Sequence, residues 1–269
     1  MHFRAYAYSL AATVMLIAMA LVLGFGNCAA ETPHADEKSA GWNGTLGFGP
    51  MAIAKYTGGQ ALQILPLPLW SINYDETFYV EVQRVGVYAL ASDDKKIGLG
   101  LAVEPRLGFH ASDGPKLSGM ATRRDSLEGG ITFDWDFDVF AISTAWFTDM
   151  TRSSRGSSAR LSLYRPLLKN ARGEIGLIAS ADHMSARTAN YFFGVKPGEA
   201  SLLRPGFVAA AGTNLSLGLG GTYRVGATRS KGAIIFGANL GRLARSAARS
   251  PIVETDHVRQ FYLGYGWAL

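Results

Sequence analysis

The chain has 269 residues, of which 48% are hydrophobic and 17% charged, and its formal net charge is +5. That length suits one large domain or two small ones, and no linker rich in Pro, Gly and Ser divides it, so a single domain is expected. The charge is mild and no basic stripe with interleaved aromatics appears, which argues against a nucleic-acid partner, while the single cysteine, Cys28, excludes a disulfide framework.

At the N-terminus Arg4 precedes an apolar run from Leu10 to Leu23, then Gly24, Gly26 and Asn27, then the small residues Cys28, Ala29 and Ala30. This order predicts a secretory signal peptide over residues 1–30, cut after Ala30. The alternatives are an uncleaved anchor over residues 5–25, just long enough to span a bilayer, and a lipoprotein signal, which Asn27 before Cys28 disfavours. Cleavage removes Arg4 and Cys28, lowering the formal charge from +5 to +4 and leaving no thiol chemistry. Residues 31–41 are polar and expected to be disordered, with the folded domain over 42–269.

After residue 25 no apolar stretch approaches the roughly 18 residues that a spanning helix needs. Instead the chain breaks into short segments with a period of two. From Ile97 to His110, Ile97, Leu99, Leu101, Val103, Pro105, Leu107 and Phe109 share one face, and Gly98, Gly100, Ala102, Glu104, Arg106, Gly108 and His110 the other. Leu215, Leu217, Leu219, Tyr223 and Val225 likewise oppose Ser216, Gly218, Gly220, Thr222 and Arg224; Phe261, Leu263, Tyr265, Trp267 and Leu269 oppose Gln260, Tyr262, Gly264, Gly266 and Ala268. Weaker alternation marks 45–56, 62–73, 77–90, 130–136, 139–150, 158–167, 174–183 and 231–243, and a break of phase near Arg84 and Val85 suggests a bulge. These eleven segments have the length of tilted membrane strands. A soluble sandwich would carry Lys and Glu on the faces opposite the apolar ones; here those faces are mostly Gly, Ala, Ser and Thr, as the crowded interior of a closed barrel requires. The predicted fold is an all-β, transmembrane, antiparallel up-and-down β-barrel in the outer membrane of a Gram-negative bacterium. An odd count cannot close such a barrel, so either the first segment stays out of the wall, giving ten strands, or one segment is two, giving twelve.

Short turns face the periplasm in such barrels and long loops the exterior. With the C-terminus in the periplasm, 111–125, 151–157, 185–206 and 246–257 fall outside, and the turns near Asp136, Lys169 and Thr228 inside. The outer loops then hold Lys116, Arg123, Arg124, Arg152, Arg155, Arg187, Lys196, Arg204, Arg242, Arg245 and Arg249, where lipopolysaccharide phosphates are dense; a merely solvated basic surface is the alternative.

Five short motifs stand in order from about Trp42 to Leu269: Tyr56-Thr57-Gly58-Gly59, Leu65-Pro66-Leu67-Pro68, Tyr191-Phe192-Phe193-Gly194-Val195, Ser250-Pro251-Ile252-Val253, and the closing Gln260-Phe261 to Gly264-Tyr265. In this arrangement the chain resembles the MipA/OmpV (MltA-interacting protein) family of outer-membrane proteins. The resemblance implies a scaffold or adaptor that holds a periplasmic lytic transglycosylase, and through it a murein synthase, at the membrane; other members are regarded as small pores or surface antigens. It carries over no binding residues. One departure is the ending, where Trp267 is followed by Ala268 and Leu269 rather than closing on an aromatic.

Reactive constellations are sparse. Asp182 and His183 are neighbours in a segment of period two and so point to opposite faces; His110 and His257 sit at loop edges, and the five histidines show no metal-ligand spacing. Asp134 and Asp136 share the inner face and could form an acid pair. The preferred reading is that Glu81, Glu104 and Asp134 pair with Arg106, Arg160 and Arg224 inside the barrel, with Tyr88, Tyr164 and Tyr262 adding bulk, because enclosed charges are costly unless paired. No catalytic, cofactor or metal residue is therefore assigned, no cofactor is expected, and the binding residues are unknown. Besides a scaffold, a narrow solute channel and a surface adhesin remain open, with outer-membrane lipid and lipopolysaccharide as expected contacts.

Overall fold

The computed structural model describes residues 41–75, 77–225 and 232–269. The predicted signal peptide, residues 31–40 of the predicted disordered segment and the turn near Thr228 lie outside them. The strands are β1 (Trp42–Ala54), β2 (Leu62–Pro68), β3 (Ser71–Tyr74), β4 (Phe78–Glu81), β5 (Arg84–Ala91), β6 (Ile97–Arg106), β7 (Ser126–Asp136), β8 (Ala141–Asp149), β9 (Ser157–Asn170), β10 (Gly173–Met184), β11 (Gly212–Arg224), β12 (Ala233–Arg242) and β13 (His257–Ala268). Every pairing is antiparallel between neighbours, and β13 returns to β1, so the sheet closes. Because β2 and β3 both pair with β1 in one continuous register, they form a single broken strand, and the wall has twelve. Closure removes the open sheet edges that a bilayer cannot tolerate, except beside the short strand β4.

Alternation sets the two faces of the wall. Leu99, Leu101, Leu161, Leu163, Leu215, Leu217, Leu219, Phe261, Leu263 and Trp267 are exposed on the outside, whereas Gly98, Gly100, Ala102 and Glu104 are buried within. So broad an apolar exterior would not stay monodisperse in water; in hydrocarbon it carries no penalty. Aromatics gather at the turn end: Trp135 stacks on Phe137 at 4.2 Å, Phe137 on Phe140 at 4.6 Å, and Trp42 lies tilted beside Tyr74 at 5.0 Å. The ending is accommodated, since Leu269 N donates to Gly44 O across the seam and its side chain keeps the outward phase of Trp267.

Two expectations need correction. The segment 77–90 is not one bulged strand but two, β4 and β5, joined at Glu81 and Arg84 by a turn through Val82 and Gln83. Turn and bulge both break a period of two, which is why the sequence left them indistinguishable; a bulge does exist, but between Tyr88 and Leu90. The strand from Ile97 stops at Arg106 rather than His110, because Gly108 N turns to the Asp125 carboxylate and the chain bends into the barrel mouth. Phe109 is consequently buried there instead of meeting lipid.

The shortness of β4 leaves a notch in the wall. Beyond its turn, β2 pairs with β1 on one side and with no strand among the described residues on the other, and β6 past Val103 is unpaired on its β5 side. Three strand spacings separate β3 from β6, so the notch is about 14 Å across. Bonds from Leu69 N to Gly47 O and from Lys55 N to Ala61 O commit the odd-numbered residues of β2 to β1. Leu62, Ile64, Pro66 and Pro68 therefore aim their backbone at the notch. On the far side Asp136 N donates to Lys96 O, which commits the even-numbered residues of β6 to β7 and leaves Pro105 facing the notch. Proline at these three positions removes the amide donors that would make both edges templates for another strand. Restoring two of them with Pro66→Thr and Pro68→Thr is expected to add crosslinkable dimers in detergent, and an unchanged monomer would refute this account of the motif.

Candidate functional site

The lumen is crossed by ion pairs. Glu104, 8% exposed, accepts from Arg84 at 3.0 Å and from Arg160 at 2.8 Å, linking β5, β6 and β9. Glu128, 1% exposed, takes a forked pair of hydrogen bonds from Arg106 at 2.7 and 3.0 Å and a third from Ser158 Oγ at 2.8 Å. Arg106 also faces Asp182 at 3.5 Å. Four tyrosines fill space beside these networks. Tyr79 and Tyr262 lie over Gly86 and Gly237, their cross-strand partners, and a Cβ on Gly237 would meet the Tyr262 ring at 2.3 Å. Tyr88 and Tyr164 sit against Gly98 and Gly176. Glycines at these four inner-face positions are thus seats for rings.

The long loops roof the barrel. The connection after β10 contains helix α1 (Ala186–Phe193), capped by Ser185 Oγ on Thr188 N, and that after β12 contains the one-turn α2 (Arg245–Ala248). Phe192 and Phe193 pack with Ala209, Leu243, Ala244, Ala247 and Val253, so this aromatic run folds its loop over the mouth. A second cluster joins Tyr56, Phe109, Leu117, Met120, Val195 and Ile252 from four connections. Tyr56 donates its hydroxyl to Ile252 O at 2.9 Å, and burial, with Glu254 beside it, raises its pKa. At the centre Arg123, 3% exposed, forks onto Glu199 at 2.8 and 2.7 Å and donates to the carbonyls of Tyr191, Ala121 and Gly194. Those hydrogen bonds hold the Glu199 carboxyl down at about 2.

Of the predicted luminal pairs, Glu104 with Arg160 is present. Asp134 instead accepts from Tyr88 Oη at 3.0 Å, Glu81 lies beside Arg84 at the β4–β5 turn, and Arg224 makes none of these pairs. Arg84, Glu128 and Asp182 were missed as partners, since nothing local to them announces which strand lies opposite. Asp134 and Asp136 form no acid pair: Asp136 accepts from Asp138 N in the turn. Asp182 and His183 do face opposite sides, one toward Arg106 and the other toward Thr213. His110 and His257 engage Thr122 and Asp256 respectively, and among the described residues no three His, Cys, Asp or Glu side chains are grouped to hold a metal.

A closed twelve-strand barrel with an apolar exterior, an ion-paired interior and a looped mouth defines the class as an outer-membrane β-barrel. The family model described as MltA-interacting protein MipA matches residues 46–269, and the chain belongs to that family. No curated protein matches the sequence. Among solved structures the chain is similar to a Pseudomonas aeruginosa FadL homologue, at 15% identity and a TM-score of 0.40, covering 84% of this chain and 77% of that one. It is also similar to the outer membrane protein OprD from Pseudomonas aeruginosa, at 12% identity and 0.35, covering 87% and 66%. A third likeness is to a mutant Rh. blastica porin, at 9% identity and 0.25, covering 85% and 99%.

Proposed function

We propose that this protein is a non-enzymatic outer-membrane scaffold whose short-turn end faces the periplasm and docks a murein-processing enzyme, a lytic transglycosylase together with its murein synthase. The observation that carries this reading is the lumen itself. Ion-pair networks and ring-on-glycine contacts occupy the inside and the loop clusters cover the mouth, which favours neither a solute path nor a reaction chamber. What remains available to a partner in the periplasm is the turn end, with its girdle of aromatics and with two neighbouring turns joined by Lys96 and Asp138 at 2.5 Å. The family's description names an interaction with MltA, and its extension to this chain is part of the proposal.

Crosslinking in intact envelopes followed by pull-down should recover a lytic transglycosylase, and repeated recovery of none would remove the scaffold reading. Planar-bilayer recordings should give no steady conductance steps from folded protein; regular steps would favour the narrow-channel reading instead.

A further inference from the structure

The loop cations divide by what they touch. Lys116 donates to Val253 O at 2.7 Å, Arg123 is buried on Glu199, Arg204 donates to the carbonyls of Glu199, Lys116 and Ser118, and Arg242 faces Asp256 at 3.5 Å. Arg123 and Arg204 thereby hold the roof together, while Lys116 and Arg242 each already face a carbonyl or a carboxylate. Of the remaining loop cations, Arg152, Arg155 and Arg187, which carry no ion pair or side-chain hydrogen bond among the described residues, line one cleft, wide open to solvent, at the rim of the wall.

We propose that this cleft binds the phosphate of a phosphorylated, acylated glycolipid of the outer leaflet, of the lipid A type. Arg152 and Arg155 are aimed by a loop that takes left-handed φ values of 58° and 53° at them, a conformation that L-residues rarely adopt. Asp149, the only acid in the cleft, holds that loop. Its carboxylate accepts from Thr151 N, Thr151 Oγ1, Ser154 N, Ser154 Oγ and Arg155 N, so its own charge is already engaged. Arg187 stands in the first turn of α1, where no acidic residue balances the positive end of the helix dipole. Three guanidiniums against one satisfied carboxylate are a fit for phosphate, which arginine binds in a fork.

The surroundings choose a lipid over a free ion. Trp146 lines the same cleft and is 56% exposed on the outer face of β8. Beside it stand Ile131 of β7, its cross-strand partner, and Leu161 of β9, both exposed to the bilayer. A ligand with its phosphate among the arginines would lay acyl chains over this apolar strip. The inference needs only the membrane placement with the loop end outward, and it stands whether or not an enzyme docks at the turn end.

The test uses the full chain folded in detergent, with folding checked by heat-modifiable gel migration, and measures affinity for bisphosphorylated lipid A. The variant Arg152→Gln/Arg155→Gln/Arg187→Gln should lose roughly tenfold or more, as charge-assisted bonds to phosphate would require. A charge-matched variant at the other end, Arg165→Gln/Lys169→Gln/Arg172→Gln, should bind as the parent does. If the first variant folds poorly, Arg187→Gln alone is read in its place, with about a threefold loss expected. Undiminished binding by the arginine variant, an equal loss in the matched variant, equal affinity for lipid A stripped of phosphate, or saturation by inorganic phosphate alone at the same concentration would each overturn the proposal.

Discussion

Arg106→Ala is expected to lower the stability of the folded barrel by roughly 3–5 kcal/mol, the range for breaking one partner out of a buried ion pair. The substitution would leave Glu128, 1% exposed, with Ser158 Oγ as its remaining partner, and would take the facing cation from Asp182. Urea titration of the barrel in lipid vesicles reads the loss directly. If charge rather than shape is responsible, Arg106→Met combined with Glu128→Gln and Asp182→Asn should recover most of it, because a neutral interior avoids the desolvation cost altogether. A single-variant loss below about 1 kcal/mol, the scale of a surface pair, would show that water reaches this part of the lumen.

Arg123→Ala should act on the roof and not on the wall. Its guanidinium joins Glu199 to the carbonyls of Ala121, Tyr191 and Gly194, so its loss loosens the connection after β6 from the one after β10 and leaves a buried carboxylate without its counter-ion, with only the Ala121 and Lys196 amides, at roughly 3 kcal/mol. Limited proteolysis should then cut within residues 107–125 or 185–211 while the remaining barrel still migrates as folded. Acid should do the same to the parent protein. The Glu199 pKa is depressed from 4.5 to about 2, so its contribution is fully present above about 4.5 and fades as pH falls from there toward 2. Hydrogen exchange in the two loops should rise across that window and stay flat above it. Exchange that begins only once the strands themselves open would contradict a separable roof.

The wall was legible in the sequence because its signal is local. Ile97 to Arg106 must turn its leucines and valines one way and its glycines and charges the other whatever lies beside it, and a period of two survives any arrangement of neighbours. Long and short connections sorted themselves to opposite ends for the same reason. The hairpin at Val82 was not legible. A turn between two strands that each keep their alternation reads as one skipped residue, and Val82 at a φ of 38° is a residue that no turn propensity would place there. The notch that this hairpin creates, and with it the sense of Pro66, Pro68 and Pro105, follows only from which strands end where.

By itself, then, the sequence determined the alternating wall, the number of faces it presents and the chemistry each offers: hydrocarbon outside, small and ionic groups within. Tertiary structure alone decided who meets whom. Arg106 reaches Glu128 on the next strand but Asp182 from four strands away in the chain's order, and Arg152, Arg155 and Arg187 share a cleft although two loops supply them. Those meetings depend on strand register and on closure of the sheet. Both are set by the sum of many weak cross-strand contacts over the whole barrel, so no local pattern can record them.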